Sequence, residues 1–289
     1  MSQSSIAVIR CDIFLHGIRV VTSFKEMMSK WGWVLAVMVV PVAFSPLLMP
    51  SGVLAQDAEA PPFRAWWPIV NVEVEAGGRG FYAFDPDARK DGESKQRYGF
   101  GAGLTDRLFL ELEGAYTKTP GGSLEFDAYE IESRFELTET KAFNETPNPV
   151  DIGVLFGVSV PGDDSDAYEI ESRLLLYKRA GPWRGTGNFI LEKEFGNSRS
   201  SELELAYAGQ LRYRVTPNIQ PGLEAFGRFG EIDDLSVSSQ QQKIGPGVFG
   251  FIEIKDDVAL KYEISWLFGV TGPTPTQSLK WLIEFEYKY

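Results

Sequence analysis

The side chains of this chain that could take part in chemistry are acidic and basic groups that recur two residues apart. The candidates are Glu130, Glu132, Arg134, Glu169, Glu171, Arg173, Glu192, Glu194, Glu202, Glu204, Arg212, Arg214, Lys261, Glu263, Lys280, Glu284 and Glu286. Paired carboxylates can act as general acid and base, and rows of charged side chains can line a pore. Because residues two apart share one face of a β-strand, the spacing predicts charged rows on strands, whichever role they serve.

Cysteine and histidine chemistry is confined to the beginning of the chain. Cys11 and His16 are the only cysteine and histidine among the 289 residues. Beyond residue 30, disulfides, Cys/His zinc sites and Ser-His or Cys-His catalysis are therefore excluded. The formal net charge of -12 disfavours a nucleic-acid backbone as partner. We expect no cofactor, no metal ion and no nucleic acid.

The N-terminal region has the pattern of a secretory signal peptide. Lys30 precedes an apolar run at 31–40, and Val53 and Ala55 stand at positions −3 and −1 of a cleavage point before Gln56. A basic flank, an apolar stretch and small residues at the cleavage point are the three features of such a signal. The pattern therefore predicts export of the chain.

A membrane-anchor helix is the alternative for this region, but Pro41 and Pro50 interrupt the apolar stretch. We predict a signal-peptide helix region over 1–55, followed by one exported domain over 56–289. Residues 1–26 would be an upstream extension if translation begins at a later methionine.

The exported part reads as a series of strands. Segments of about ten residues alternate apolar and polar side chains between turn residues, which is the signature of β-strands. They lie near 67–77, 95–104, 107–118, 123–138, 149–160, 165–178, 183–196, 200–215, 219–230, 241–254, 258–270 and 277–289. Short connections alternate with longer polar ones, such as 77–94 and 230–240, which is typical of an up-and-down antiparallel meander.

An internal repeat supports the meander. The eight residues 127–134, DAYEIESR, recur without change at 166–173. The separation corresponds to two strands with their connections, so the repeating unit is a hairpin. Duplication of hairpins explains the repeat more simply than a ligand site.

The pattern favours a membrane barrel over a soluble sandwich. An export signal, strands longer than usual, an even strand number and outer faces rich in Leu, Val and aromatic residues together predict a closed antiparallel up-and-down transmembrane β-barrel of about 12 strands. In lipid only a closed barrel leaves no unpaired strand edge, so the segment 277–289 must pair with the first strand. We expect outer-membrane lipid around the barrel. The terminal aromatic Tyr289 is similar to the signal by which the barrel-assembly machinery recognises its substrates.

Three stretches resemble a known family of outer-membrane proteins. They are YGFGAGLTDRLFLELEGAY at 98–116, PGLEAFGRFG at 221–230, and IGPGVFGF at 244–251 with the strands that follow. These stretches are similar to the family assigned to the MetA pathway of phenol degradation. The resemblance implies an outer-membrane barrel near aromatic-compound metabolism, with a transport role, and it brings no catalytic residues to carry over.

Three functions remain for such a barrel: a passive channel, a closed structural barrel, and an outer-membrane enzyme that works without histidine. We favour a channel for ions or small molecules, aromatic ones among them, and expect no enzymatic activity. If the long loops face outwards, the glutamate pairs of 169–204 form an acidic outer mouth, while Arg212 and Arg214 lie towards the periplasm. The charged rows fit either an open charged pore or a ladder of ion pairs that fills a narrow lumen.

Overall fold

The computed structural model describes residues 68–74, 77–86, 94–119, 121–141, 145–163, 166–196, 203–233 and 240–288. The predicted signal region 1–55 lies outside these ranges, as do Glu202 and Tyr289. Within the described ranges, no helix is long and apolar enough to cross a membrane.

Twelve strands form one closed antiparallel barrel, as predicted. The strands are β1 (Gly77–Pro86), β2 (Ser94–Thr105), β3 (Leu108–Lys118), β4 (Leu124–Glu136), β5 (Asp151–Pro161), β6 (Ala167–Ala180), β7 (Trp183–Gly196), β8 (Leu203–Tyr213), β9 (Gln220–Glu231), β10 (Gln241–Lys255), β11 (Val258–Gly269) and β12 (Gln277–Lys288). Each strand pairs with its neighbours in sequence, and β12 pairs with β1 from Gly77↔Lys288 to Phe84↔Trp281. The strand at the end of the sequence therefore closes the barrel, and no sheet edge remains open.

Exposure alternates along the strands and shows which face is which. On β11, Ile264 and Trp266 are 49% and 53% exposed, whereas Ser265 and Leu267, which alternate with them, are 1% and 0% exposed. The exposed face is apolar, while the buried face carries most of the charged residues. This is the reverse of a soluble β-sandwich, and it suits a barrel surrounded by lipid.

The two ends of the barrel differ in their connections. Two-residue turns join β2 to β3, β6 to β7 and β10 to β11, all at the end where β1 begins and β12 finishes. We call this the tight-turn end. The connections 87–93, 162–166 and 232–240 belong to the opposite end, which we call the long-loop end.

The first predicted strand, near 67–77, is wrong. The wall begins at β1, so the predicted 77–94 loop shortens to 87–93. Residues 68–74 are in no strand and lie inside the barrel, where Val70, Val72 and Val74 are buried. We call residues 68–74 the lumen segment. Its alternation results from packing within the lumen, whereas the glycine-rich start of β1 gives no clear alternating signal.

Candidate functional site

The charged side chains inside the barrel are joined by ion pairs that skip one strand. The pairs are Arg79–Glu111 (β1 to β3), Arg97–Glu130 (β2 to β4), Glu132–Arg173 (β4 to β6) and Glu192–Arg228 (β7 to β9). Inward side chains converge in a closed barrel, so residues on next-but-one strands can meet. Pairing offsets the cost of removing these charges from water.

One side of the lumen carries a continuous chain of charges on β3, β1, β12 and β11. Arg79 Nε donates to Glu111 Oε2 at 2.6 Å, and Arg79 Nη1 lies 3.5 Å from Glu284 Oε2. Lys261 Nζ is 3.4 Å from Glu284 Oε1 and 3.9 Å from Glu263 Oε1. Each cation thus contacts two carboxylates.

The same chain continues to β9 and β8. Lys280 Nζ lies 3.5 Å from Glu263 Oε2 and 2.9 Å from Glu224 Oε1. Glu224 is fully buried and also accepts a hydrogen bond from Gln210 Nε2 at 2.8 Å. The network therefore runs from β3 to β8 through side chains of alternating charge.

A second group of carboxylates lies nearer the long-loop end. Arg173 binds Glu171, with Nη2 donating to Oε2 at 2.9 Å, and it approaches Glu132 at 3.4 Å. Oxygens of Glu169, Glu171 and Glu192 all lie within 4.8 Å of one another. Among the described residues, no hydrogen bond or ion pair reaches the side-chain carboxylate of Glu169.

Those three carboxylates are close enough to share a metal ion, since oxygen ligands suit hard divalent cations. Arginines already neutralise two of them, however. Glu171 is paired with Arg173, and Glu192 with Arg228 at 2.8 Å. The three carboxylates therefore form a negatively charged region and not a dedicated metal site. Within the described residues, Glu169 is the member without a cationic partner.

Several buried arginine and lysine side chains lie over phenylalanine rings. The guanidinium carbons of Arg79 and Arg134 are 4.9 Å and 4.8 Å from the centre of the Phe109 ring. Lys280 Nζ is 5.0 Å from the centre of the Phe226 ring. Cation–π contact of this kind stabilises positive charge away from water. The inner face is consequently charged and aromatic together.

The lumen segment is bound to the wall through its backbone. Val70 N–H donates to Asn188 Oδ1 at 2.8 Å, and Asn188 Nδ2 donates to the Val70 carbonyl at 2.9 Å. Arg173 Nη1 donates to the Pro68 carbonyl and Arg134 Nη1 to the Asn71 carbonyl, both at 3.2 Å. Side chains of the wall thus satisfy backbone groups that would otherwise be buried without partners.

Apolar contacts complete this attachment. Val70 and Val72 pack with Leu155 and Leu175 of β5 and β6. Ile69 belongs to a second buried cluster, whose wall members are Ile190, Ala206, Ala208, Phe226 and Leu267. The wall therefore carries an inward apolar patch, and the lumen segment covers it.

Inward residues of β7 show the order of these features along the lumen. Arg184 lines a cavity of ≈ 510 Å³ at the tight-turn end, together with Arg179, Arg214 and Glu145. Next along β7, Thr186 donates to Asn71 Oδ1 at 3.2 Å, and Asn188 binds Val70. Beside the lumen segment, a cavity between Ile69 and Arg79 has only ≈ 10 Å³, about the space of a single water molecule. The lumen segment thus fills the part of the lumen next to the large cavity, on the side of the long-loop end.

The structure places the predicted site residues as follows. In ion pairs within the barrel are Glu130, Glu132, Glu171, Arg173, Glu192, Glu204, Lys261, Glu263, Lys280 and Glu284. Arg134 contacts the lumen segment, Arg212 lies over the Phe249 ring at 5.8 Å, and Arg214 lines the large cavity. Glu169, Glu194 and Glu286 are half-buried.

Sequence reasoning missed several lumen residues. Among them are Arg79, Arg97, Glu111, Glu113, Glu224, Arg228 and the lumen segment itself. Glu111 and Glu113 alternate with Leu110 and Leu112, so the same pattern would have found them. Arg79 stands among glycines, where the alternation gives no signal.

Comparisons with known proteins support the fold. No protein-family model matches the sequence, and no curated protein matches it. An outer-membrane channel from Pseudomonas putida F1 superposes with a TM-score of 0.51 at 13% identity, over 75% of this chain and 97% of that chain. The NanC porin gives 0.45 at 11% identity over 73% and 98%, and phospholipase A of Escherichia coli gives 0.38 at 12% identity over 75% and 98%.

At such low identity, the likeness to the Pseudomonas channel shows a shared outer-membrane barrel fold and nothing more specific. The resemblance of 98–116 and the later stretches to the phenol-degradation family is not confirmed, because no family model matches.

Proposed function

We propose that this chain is a channel of the bacterial outer membrane that passes small solutes, with an acidic outer mouth that favours cations. The observation that carries the proposal is the charged inner wall, in which ion pairs such as Arg79–Glu111 and Lys261–Glu284 run from strand to strand. Stability alone does not require them, because well-packed apolar residues in place of a buried ion pair are often as stabilising. A lumen lined by charge is suited to water and polar solutes.

A purely structural barrel is the second candidate, and the filled lumen favours it. The material that fills the lumen above the large cavity is the lumen segment, however, which belongs to no strand of the wall. Most of the described ion pairs run along the wall, between side chains of the same, adjacent or next-but-one strands. Because the ion pairs lie along the wall and the lumen segment is not part of the wall, the channel is the better proposal.

A catalytic role has less support. The sequence beyond residue 30 has no histidine to act as base. Glu171 and Glu192, whose oxygens lie within 4.8 Å of those of Glu169, each bind an arginine. A carboxylate pair that works as acid and base needs one member in a different environment from the other. We therefore infer that the protein is not an enzyme.

The charge distribution supports the proposed selectivity. Residues 56–289 contain 24 basic and 38 acidic residues, a net charge of −14. Glu169, Glu171 and Glu192 lie near the long-loop end, which we place outside the cell. A negative potential at a channel entrance raises the local cation concentration. Phe109 and Phe226 on the inner wall would also suit small aromatic molecules, as the family resemblance implies.

Export and assembly complete the proposal. We infer that the signal region 1–55 is removed before Gln56 and that the assembly machinery recognises β12 together with the aromatic Tyr289 that follows it in the sequence. N-terminal sequencing of protein extracted from membranes should then begin near Gln56. Retention of residues 31–55 would contradict this part.

Conductance in planar lipid bilayers tests the channel. Purified protein should produce single-channel steps, and a salt gradient should give a reversal potential of the sign for cation preference. The same preparation must migrate differently on gels with and without boiling, which shows that the barrel is folded. A folded barrel without conductance, in both the wild type and the variant without residues 68–74, would overturn the channel in favour of a structural role.

A further inference from the structure

We propose that the lumen segment, residues 68–74, is the gate of the channel: it closes the lumen in the state described here and opens it by leaving its place against the inner face of the wall, where β4 to β9 and β11 contact it. This inference rests on the proposed channel function. The strand pairing of the wall and the ion-pair network are complete without residues 68–74.

The attachments of the lumen segment are separable from the wall. They consist of hydrogen bonds between wall side chains and the segment, together with apolar contacts, and among the described residues no strand pairing joins the segment to the sheet. Arg173 keeps Glu171 and Glu132 as partners without the segment, and Arg134 keeps the Phe109 ring. Departure of the segment therefore leaves the ion pairs of the wall intact.

Apolar burial favours the closed position. Ile69, Val70, Val72 and Val74 are buried against inward apolar side chains such as Leu175 and Ile190. When the segment leaves, this patch faces water, which is unfavourable for an apolar surface. The closed state is therefore the resting one, and opening needs an input such as voltage or a solute that competes for the wall.

The position of the segment makes it an effective barrier. On β7, Arg184 lines the ≈ 510 Å³ cavity, Thr186 and Asn188 bind the segment, and Glu192 belongs to the carboxylate group beyond it. The segment thus lies between the two ends of the lumen. Its departure would join the large cavity to the acidic end.

A reversible crosslink tests the gate. Asn71 Oδ1 and Thr186 Oγ1 are 3.2 Å apart, and Cys11 of the predicted signal region is the only native cysteine. The double variant Asn71→Cys, Thr186→Cys should conduct when reduced. On oxidation, its time-averaged conductance should fall at least about tenfold, and a reductant should restore it, since the segment is then tethered in the lumen. Equal conductance in the oxidised and reduced forms, with the crosslink verified by mass spectrometry, would overturn the gate.

Two further variants separate the gate from the channel itself. Deletion of residues 68–74 should raise the open probability several-fold, and Asn188→Ala, which removes both hydrogen bonds to Val70, should do the same to a smaller extent. Gln277→Ala is the matched control, because this amide on β12 accepts a hydrogen bond from Trp266 Nε1 on the outer face and belongs neither to the lumen segment nor to the ion-pair network. If the wild type and the deletion variant conduct equally, the gate is overturned while the channel stands. If neither conducts although both are folded on unheated gels, the channel is overturned and the gate with it.

Discussion

Lys280 on β12 and Glu224 on β9 form an ion pair although two strands, β10 and β11, stand between theirs. Lys280 Nζ lies 2.9 Å and 3.1 Å from the two carboxylate oxygens, and both residues are buried. Lys280 Nζ is also 5.0 Å from the centre of the Phe226 ring. The lumen is therefore narrow at this point, because one ion pair reaches from β12 to β9.

Glu224→Gln should destabilise the barrel, because it leaves the buried Lys280 with Glu263 at 3.5 Å as its remaining carboxylate. Removal of one partner of a buried pair costs about 3–5 kcal/mol, and the second carboxylate places this variant at about 3 kcal/mol. Urea unfolding in detergent micelles measures the change. The double variant Glu224→Gln, Lys280→Met should recover more than half of the loss, whereas Glu253→Gln at an exposed site of β10 should have no effect. Equal losses in the single and double variants would contradict the assigned pair.

Gly99 and Gly101 on the inner face of β2 should tolerate no larger residue, because they give room to the rings of Phe81 and Phe109. A Cβ atom on Gly101 would collide with the Phe109 ring, whereas a Cβ on Gly187 would meet nothing within 4 Å. Gly101→Val should therefore cost about 1–3 kcal/mol through overpacking, while Gly187→Val should be neutral or stabilising. The folded fraction on unheated gels measures both variants. Equal folding of the two would mean that the Phe109 ring can move aside.

The alternation in the sequence was sufficient for eleven of the twelve described strands of the wall, β2 to β12, but not for β1. Ile264 and Trp266 alternate with Ser265 and Leu267 in the sequence as they do between exposed and buried faces. The period of two directly reports which face a side chain occupies, so the strands from β2 onwards and their inward charged rows follow from it. Partners of each charge did not follow, because they depend on the stagger of next-but-one strands around the barrel.

The lumen segment could not be predicted from the same pattern. Val70, Val72 and Val74 alternate as in a strand, yet each is buried within the lumen. A segment surrounded by the wall on all sides can satisfy its backbone through side chains such as Asn188, so the absence of strand pairing leaves no mark in its sequence. The alternating pattern predicted an extended apolar stretch. It could not show whether that stretch forms a strand of the wall or lies inside the lumen.

Arginine on the outer face should prevent assembly. Ile264 is at the middle of β11 and 49% exposed. Ile264→Arg should cost about 2–4 kcal/mol near the bilayer midplane, and Ile264→Thr should cost much less. Folding into lipid vesicles, scored by gel mobility, measures the difference, with Asp257→Arg in an exposed turn as control. Full folding of Ile264→Arg would place this face away from lipid.

Arginine substitutions on the inner face are not a simple control for arginine at Ile264. From alternation alone, an inward residue such as Ser265 would tolerate arginine, since it would meet water or other charges. The structure revises this expectation, because Ser265 and Ala206 are each 1% exposed and tightly packed. We therefore expect arginine at either inward position to impair folding too, through lack of space, in detergent as well as in lipid.

Neutralisation of Glu169 should reduce the cation preference of the channel without loss of stability. Its carboxylate lies within 4.8 Å of the oxygens of Glu171 and Glu192, and no described hydrogen bond or ion pair reaches it. Glu169→Gln therefore leaves no cation unpaired among the described residues. It removes one negative charge from the region where a permeating cation would be attracted.

Reversal potentials in a KCl gradient measure the effect of Glu169→Gln, in the wild type and in the variant without residues 68–74. The cation preference should fall most at low salt, and the difference should nearly vanish near 1 M, where the screening length is only about 3 Å. Glu253→Gln makes the same charge change at an exposed site of β10, near the tight-turn end, and should leave the reversal potential unchanged. An anion-selective wild type, or equal shifts from Glu169→Gln and Glu253→Gln, would show that the carboxylates of the long-loop end do not set the selectivity. Control would then pass to the arginines of the large cavity, Arg179, Arg184 and Arg214.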